Sequence, residues 1–454
     1  MRAIPTLKIS ISGVRGVVGD SLTPEMVARF AQAFGTYVGG GRVVIGRDPR
    51  TSGEMMRQAV VAGLISSGCR VSDLGVCPTP TVQLLVRQLG ASGGIAITAS
   101  HNPPEWNALK FVGGDGLFLG PARGRELLDI YHQGQYAKVP GSAQRPPERI
   151  EDAVDRHVQA VVEGIGPLGE GGRGLVAVVD PGGGAASVAA SRLVEALGAK
   201  AVAIHTTADG RFPRPAEPIP ENLGALGDAV RAHGAAVGFA QDMDGDRLAV
   251  VDAEGHPIGE ELTLVLAAEQ VLAHTPGPVV TNVATTDAVE AMASRYGAAV
   301  TRTRVGEAHV AEGMRHRGAV IGGEGNGGVL YPKVNFARDS LVGMALILHR
   351  LSETGRSVAE LAAPYDGFRV VKIQRHCPID RARVLIERAR EAWADRSPDL
   401  LDGVKVRTSE GWYIVRPSNT EPIVRVIAEA STESAARALA ERAEAEVETL
   451  LGLE

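Results

Sequence analysis

The feature that most constrains this chain is a pattern that its sequence writes three times. Each copy opens with an apolar strand, a turn marked by Gly or Pro, an amphipathic helix, a Gly and a second strand. Arg42-Val43-Val44-Ile45 runs into Gly46-Arg47-Asp48-Pro49-Arg50-Thr51-Ser52-Gly53, a helix follows through Met56, Val60 and Leu64, and Cys69-Arg70-Val71 begins the next strand. Leu175-Val176-Ala177-Val178-Val179 leads to Asp180-Pro181-Gly182-Gly183-Gly184, a helix through Leu193 and Leu197, and the strand Ala201-Val202-Ala203-Ile204. Val279-Val280-Thr281-Asn282-Val283 leads to Thr285-Thr286-Asp287, a helix through Met292, and Val300-Thr301-Arg302. Every copy then closes on a third strand that ends in an unusual polar loop. Strands that alternate with helices predict parallel or mixed sheets covered on both faces. The expectation is therefore three similar α/β domains with mixed sheets, each carrying one loop at a strand terminus.

From about Phe368 the pattern changes. Lys405-Val406-Arg407, Trp412-Tyr413-Ile414-Val415 and Ile423-Val424-Arg425-Val426-Ile427 alternate like antiparallel strands, and a charged, Ala-rich helix follows from about Glu433. That predicts a smaller C-terminal α+β domain. Boundaries placed in the Pro/Gly-rich stretch 140–147, near 252–257 and near 364–368 divide the chain into 1–145, 146–254, 255–366 and 367–454.

Composition narrows the partners. In 454 residues, 44% are hydrophobic and 22% charged, ordinary for a soluble protein with substantial cores. A net charge of −6 with 4% aromatic residues argues against nucleic acid as the main partner. Cys69, Cys77 and Cys377 are an odd number without a CxxC pair, which fits reduced thiols better than a disulfide framework or a zinc site. There is neither an apolar signal core at the start nor a run of membrane-span length, so the chain reads as cytoplasmic with no membrane partner.

The loops carry the chemistry. Gly94-Ile95-Ala96-Ile97 ends in Thr98-Ala99-Ser100-His101-Asn102-Pro103, a backbone-rich turn at the carboxyl end of a strand, where open α/β sheets place their sites. Ser100 offers a hydroxyl, His101 a ring nitrogen and Asn102 an amide to brace the turn; by itself the stretch also fits a simple capped turn. The second copy ends in Asp242-Met243-Asp244-Gly245-Asp246-Arg247. Three carboxylates at alternate positions repel one another unless a divalent cation resolves the conflict, and oxygen ligands suit Mg²⁺. An EF-hand is excluded, because Arg247 and Ala253 stand where its Gly and Glu belong; a solvated acidic turn is the other reading. The third copy ends in Gly323-Glu324-Gly325-Asn326-Gly327-Gly328, whose glycines would let backbone approach a ligand while Glu324 and Asn326 bind sugar hydroxyls. Without a following Gly-Lys-Ser/Thr it is not a phosphate P-loop. Between two C-terminal strands, Arg416-Pro417-Ser418-Asn419-Thr420 combines a guanidinium fork, hydroxyls and an amide suited to a phosphate ester, or forms an ordinary polar turn. Lys110 and Arg15 are further candidate phosphate partners. The Gly182-Gly183-Gly184 cluster lacks GxGxxG spacing, which argues against a nicotinamide site.

Together, in this order, the four loops resemble those of the α-D-phosphohexomutase superfamily, over essentially the whole chain. The resemblance implies three α/β domains and a C-terminal α+β domain around a central cleft. It implies that Ser100 carries a phosphate and that Ser100, Asp242, Asp244 and Asp246 surround Mg²⁺, with Arg247 beside them. Glu324 would contact the sugar, and Arg416, Ser418, Asn419 and Thr420 would grip the substrate phosphate. The implied reaction interconverts hexose 1- and 6-phosphates through a hexose 1,6-bisphosphate, with His101, Lys110, Arg247 and Arg15 assisting. Two departures bear on sugar choice. Many members read Gly-Glu-x-Ser-Gly-His in the third loop, where this chain has Asn326 and Gly328. The preceding loop, Arg304-Val305-Gly306-Glu307-Ala308-His309, is closer to phosphoglucosamine mutases and leaves Glu307 and His309 as candidate bases. Phosphomannomutase and phosphoglucomutase activities stand as alternatives. A Mg²⁺-dependent phosphatase with Asp242 as nucleophile and a non-catalytic sugar-phosphate binder are the competing classes.

Overall fold

The computed structural model describes residues 6–10, 13–418 and 423–452. The three copies fold into three sheets with one strand order. In the first sheet the neighbours run Arg70–Val76, Arg42–Arg47, Gly93–Ile97, Trp106–Gly113. In the second they run Lys200–Ala203, Val176–Asp180, Val237–Gln241, Leu248–Val251, and in the third Val300–Thr303, Val279–Asn282, Ile321–Glu324, Gly328–Leu330. In each sheet the first three strands are parallel and the fourth turns back antiparallel. Lys8–Ser10, Gly13–Val17 and Glu148–Arg149 extend only the first sheet, which reaches seven strands.

This order positions the chemistry. The chain steps outward on one side of the founding strand and then returns to its other side, so the order reverses between the founding strand and the strand that ends in the polar loop. Crevices at such reversals, outside the carboxyl ends of parallel strands, are where open sheets bind ligands. Gly93–Ile97, Val237–Gln241 and Ile321–Glu324 are buried at every residue, as expected for strands covered on both faces.

Helices Glu260–His274 and Ser340–Thr354 are apolar around most of their circumference because they lie in one core shared by the second and third sheets. Helix Thr79–Gln88 ties the first domain to both of the others. Thr79 Oγ1 donates to Asp244 Oδ2 at 2.7 Å, Thr81 Oγ1 meets His157 Nδ1 at 2.8 Å, and Gln83 Nε2 donates to Glu307 Oε1 at 2.7 Å. His157 Nε2 in turn meets Asp339 Oδ2, the N-cap of helix Ser340–Thr354, at 2.7 Å. These side chains are buried, and the hydrogen bond each makes offsets the cost of placing a polar group at a domain junction.

The last domain is an antiparallel sheet ordered Arg369–His376, Ile423–Ala430, Gly411–Pro417, Val404–Arg407. Helices Ile379–Ala392 and Glu433–Leu451 cover one face, where Leu385, Leu439 and Val447 meet Val415 and Val424. The other face turns Trp412, Ile414 and Ile427 onto Val283 and Ala284 of the third domain. No helix among the described residues is long and apolar enough to cross a membrane.

Candidate active site

Ser100 sits in the left-handed region, at φ +51°, one of three described non-glycine residues with positive φ. Such backbone persists in an L-residue only where its surroundings hold it. Here the hold comes from Arg50, whose guanidinium donates to the carbonyls of Ser100 and Asn102 at 2.7 Å each, of Trp106 at 3.1 Å, and of Pro103. Arg50 Nε pairs with Asp48 Oδ2 at 2.9 Å with both side chains fully buried, and Asp48 also accepts the Thr98 hydroxyl at 2.6 Å. Thr98 Oγ1 accepts the Ser100 N–H at 3.0 Å. The turn is thus braced by Thr98 and Arg50, whereas the Asn102 amide oxygen accepts Arg15 Nη1 at 2.6 Å and ties the loop to strand Gly13–Val17.

The serine faces the aspartate loop. Ser100 Oγ donates to Asp242 Oδ2 at 2.8 Å, across 142 residues of sequence. His101 Nδ1 is 3.4 Å from the same oxygen, and burial together with Arg247, Arg15 and Arg425 holds the imidazole well below its ordinary pKa, so the ring is neutral. Asp242, Asp244 and Asp246 are buried and offer carboxylate oxygens within 4.8 Å of one another. Each anchors one oxygen in the protein. Asp242 Oδ1 accepts the N–H groups of Asp246 and Arg247 at 3.1 Å, Asp244 Oδ2 accepts Lys110 Nζ at 2.6 Å, and Asp246 Oδ2 accepts Arg338 at 2.5 Å. The second oxygens of Asp244 and Asp246 are buried without a hydrogen-bond partner among the described residues. Burial and the neighbouring carboxylates push Asp242 well above the usual carboxyl range. Burial also opposes ionisation of Asp244, yet Lys110 and the other donors hold it below that range. Clustered carboxylates with orphaned buried oxygens suit an oxygen-liganded divalent cation.

The third loop ends strand Ile321–Glu324. Glu324 Oε1 accepts Asn282 Nδ2 at 2.9 Å and the Gly306 N–H at 2.8 Å, while Oε2 accepts Arg338 Nη1 at 2.9 Å. Its glycines serve a different purpose from the one the sequence suggests. A Cβ on Gly325 would stand 1.9 Å from Glu261 Oε2, and one on Gly327 would stand 2.2 Å from the Leu248 carbonyl. They make room for neighbouring protein, and Gly325 also lines the cleft. Asn326 Oδ1 accepts the Gly328 N–H at 3.2 Å. Glu307 is buried behind Arg338, 3.2 Å from its Nε, and burial pushes its carboxyl up to about 7. His309 makes no side-chain hydrogen bond or ion pair with a described residue, so nothing joins it to this cluster.

All four domains line one cleft of about 730 Å³, whose walls include His101, Arg247, Glu324, Asn326, Lys372, Arg416 and Arg425. Arg416 Nε and Nη2 are buried without a hydrogen-bond partner among the described residues, although Asp402 lies 3.3 Å from Nη2. Ser418 donates its N–H to the Ile423 carbonyl at 2.9 Å; Asn419 and Thr420 lie outside the described residues.

Comparison with known proteins resolves the family. Models of the phosphoglucomutase/phosphomannomutase alpha/beta/alpha domains I, II and III match residues 7–138, 155–255 and 259–368, and that of the C-terminal domain matches 377–446. The chain belongs to the phosphoglucomutase/phosphomannomutase family. Among its relatives, a "Probable phosphoglucosamine mutase" of Methanopyrus kandleri is 37% identical over 94% of this chain and 95% of its own length. A "Phosphoglucomutase/phosphomannomutase" of Thermococcus kodakarensis is 36% identical with equal coverage. A solved family structure from Burkholderia thailandensis superposes with a TM-score of 0.85 at 28% identity, covering 99% of this chain and 98% of the other. Like its relatives, this family member is a phosphohexomutase, an isomerase that moves phosphate within a sugar, and the family uses a metal.

Four residues of this family member's site escaped the sequence reading. Arg50 lay in what reads as a turn, although Asp48-x-Arg50 directly after a strand was a visible signal of a buried pair. Thr79, Lys372 and Arg338 gave none. Lys372 Nζ joins Glu260 and Glu261 at 2.8 Å and the Gly325 carbonyl at 2.9 Å, linking the last domain to the third loop.

Proposed function

We propose that this chain interconverts glucosamine 6-phosphate and glucosamine 1-phosphate, with Ser100 as the phosphate carrier and Mg²⁺ as the metal. The observation that carries the reading is the placement of Ser100 Oγ: a buried residue in left-handed backbone holds it against a buried three-aspartate cluster that has acceptor oxygens to spare. The relatives' names favour glucosamine, and the 1,6-bisphosphate of glucose bound to an Aspergillus fumigatus N-acetylphosphoglucosamine mutase of the same fold illustrates the class of intermediate.

Mg²⁺ bound by Asp242, Asp244 and Asp246 supplies charge neutralisation for the transferring phosphoryl group. The protein's own residues do the rest. A free sugar hydroxyl oxygen bonds to the phosphorus of phospho-Ser100 and the P–Oγ bond breaks. The hydroxyl proton passes to the neutral His101 ring on the cleft wall, and the same ring, whose Nδ1 is 3.4 Å from Ser100 Oγ, returns a proton to Oγ as the P–Oγ bond breaks. Lys110, held charged by Asp244 and Asp246, and Arg247 flank the transferring group, while Arg416 holds the phosphate that is not reacting. After the bisphosphate turns end for end, the same step runs backwards with the other phosphate. A hydrolase using Asp242 as nucleophile is disfavoured because both its oxygens are engaged, by two N–H groups and by Ser100.

Peptide mass spectrometry should find phosphate on Ser100, and Ser100→Ala should lose most mutase activity on glucosamine, mannose and glucose phosphates alike. Full turnover by that variant would end the mechanism. A wild-type preference for mannose or glucose over glucosamine would move the sugar assignment.

A further inference from the structure

Arg338 joins the metal loop and the sugar loop with a single side chain. Its guanidinium reaches Asp246 Oδ2 at 2.5 Å, Glu324 Oε2 at 2.9 Å and Glu307 Oε2 at 3.2 Å, with only 12% of the side chain exposed. Three carboxylates from two domains converge on it, so the guanidinium offsets like charges that would otherwise repel across the domain junction. The stem of the side chain runs directly over Gly328. A Cβ built on Gly328 would stand 2.3 Å from Arg338 Cδ and 2.8 Å from Cγ. Position 328 is also where the third loop departs from Gly-Glu-x-Ser-Gly-His, so the missing side chain and the arginine fill one space between them.

We propose that Arg338 is a positioning residue for sugar recognition: seated in the space that Gly328 leaves open, it locks Glu324 to the metal-loop Asp246 and so fixes the sugar-binding carboxylate relative to the transferring phosphate. The geometry of Glu324 supports this. One of its oxygens is already saturated by Asn282 and Gly306, and the other is oriented by Arg338 alone among the described residues, leaving that oxygen the remaining acceptor for a sugar hydroxyl. Asp246 meanwhile keeps its second oxygen unpartnered, so the arginine anchors the loop without consuming the atom a cation needs. A guanidinium can do this because its rigid fork serves two carboxylates at once; an ammonium reaches them as a single point.

The inference rests on the cleft binding hexose phosphates, and its test is built to fail separately. Affinities of glucosamine, mannose and glucose 6-phosphates are measured by calorimetry in a Ser100→Ala background, and steady-state kinetics in the native-serine background. Arg338→Lys should weaken binding at least tenfold and change the ratio among the three sugars, raising KM more than it lowers kcat. Gly328→Ala, which keeps every charge, should do the same by displacing Arg338. Combined with Arg338→Ala, it should add nothing further. Mn²⁺ affinity, followed by electron paramagnetic resonance, should stay within threefold in Gly328→Ala. Equal losses for all three sugars, unchanged affinities in both single variants, or additive effects in the double variant would each overturn the proposal. Parent protein that binds these sugars but does not isomerise them would overturn the proposed function and leave this inference standing on the calorimetry.

Discussion

Replacing Arg50 by Met keeps the volume of the buried stem and removes the guanidinium that holds the serine loop. Two costs can be read from the structure. Breaking a fully buried ion pair by deleting one partner costs about 3–5 kcal/mol, because Asp48 is left uncompensated. Burial already pushes the Asp48 carboxyl above its ordinary range with Arg50 present, and removing the guanidinium raises it further, which favours the neutral acid and holds the loss towards the lower figure. The second cost falls on function. The carbonyls of Ser100, Asn102, Pro103 and Trp106 lose their common donor, and Ser100 is free to leave φ +51°, a conformation worth roughly 1–2 kcal/mol of strain. Thermal unfolding of Arg50→Met should shift down by about 10 °C, taking 2–4 °C per kcal/mol. At temperatures where the variant is still folded, phosphate occupancy of Ser100 and kcat should fall at least tenfold. Arg50→Lys should lie between, since one ammonium cannot reach four carbonyls. A midpoint within 2 °C of the parent together with near-normal turnover would refute the clamp.

Two further expectations concern the metal and pH. Mg²⁺ at a hundred times its dissociation constant should stabilise the protein by about 2.7 kcal/mol, raising the unfolding midpoint, and Asp244→Asn should abolish most of that shift; an unchanged midpoint up to millimolar Mg²⁺ counts against the aspartate site. At the junction of the third and last domains, burial raises Glu429 to about 7 and lowers Lys405 to about 8. The raised carboxyl contributes stability that is complete below pH 4.5 and is lost as pH climbs through 7. The depressed lysine costs stability below pH 8 that is recovered as pH rises towards 10.5. Domain docking should therefore pass through a minimum between pH 7 and 8, spanning up to about 3 kcal/mol on the acid side. Glu429→Gln should flatten that acid limb in calorimetric scans; a limb unchanged in the variant would place the titration elsewhere.

What was legible in the sequence was whatever is local. Three strand–turn–helix–strand units, and the loops that end their third strands, could be read because apolar runs and Gly/Pro turns act over a few residues. The antiparallel C-terminal strands were equally clear, since Trp412-Tyr413-Ile414-Val415 alternates on a half-buried sheet. The partners that complete the site are distant. Thr79 meets Asp244 across 165 residues, Lys110 across 134, and Arg338 meets Asp246 across 92. No window of sequence contains such a pair. The glycines of the third loop show the same limit in reverse: their need for space was evident, but not that Glu261 and Leu248 occupy it.

The repeat and the closing domain have complementary tasks. Asp48, Asp180 and Asn282 stand at or just after the ends of the founding strands, beside the third strands that lead into the Ser100, Asp242 and Glu324 loops. Arg50, Arg214 and Arg302 then clamp them: Arg214 pairs with Asp180 at 3.0 Å and donates to the Gln241 carbonyl just before the aspartate loop, and Arg302 donates to the Asn282 carbonyl at 3.0 Å. Arginine therefore ties down the serine and aspartate loops through backbone carbonyls, whereas Arg302 holds the 282–286 turn instead. The last domain differs. Its Arg416 has two buried donors without a hydrogen-bond partner among the described residues, with Asp402 3.3 Å from one of them, and a buried donor left unpaired costs about 1–3 kcal/mol. The phosphate that the proposed function gives to Arg416 would satisfy those donors. Its binding energy is thereby available to seat the sugar's other end against a site already held in place, which is how remote contacts come to act on kcat as well as on KM.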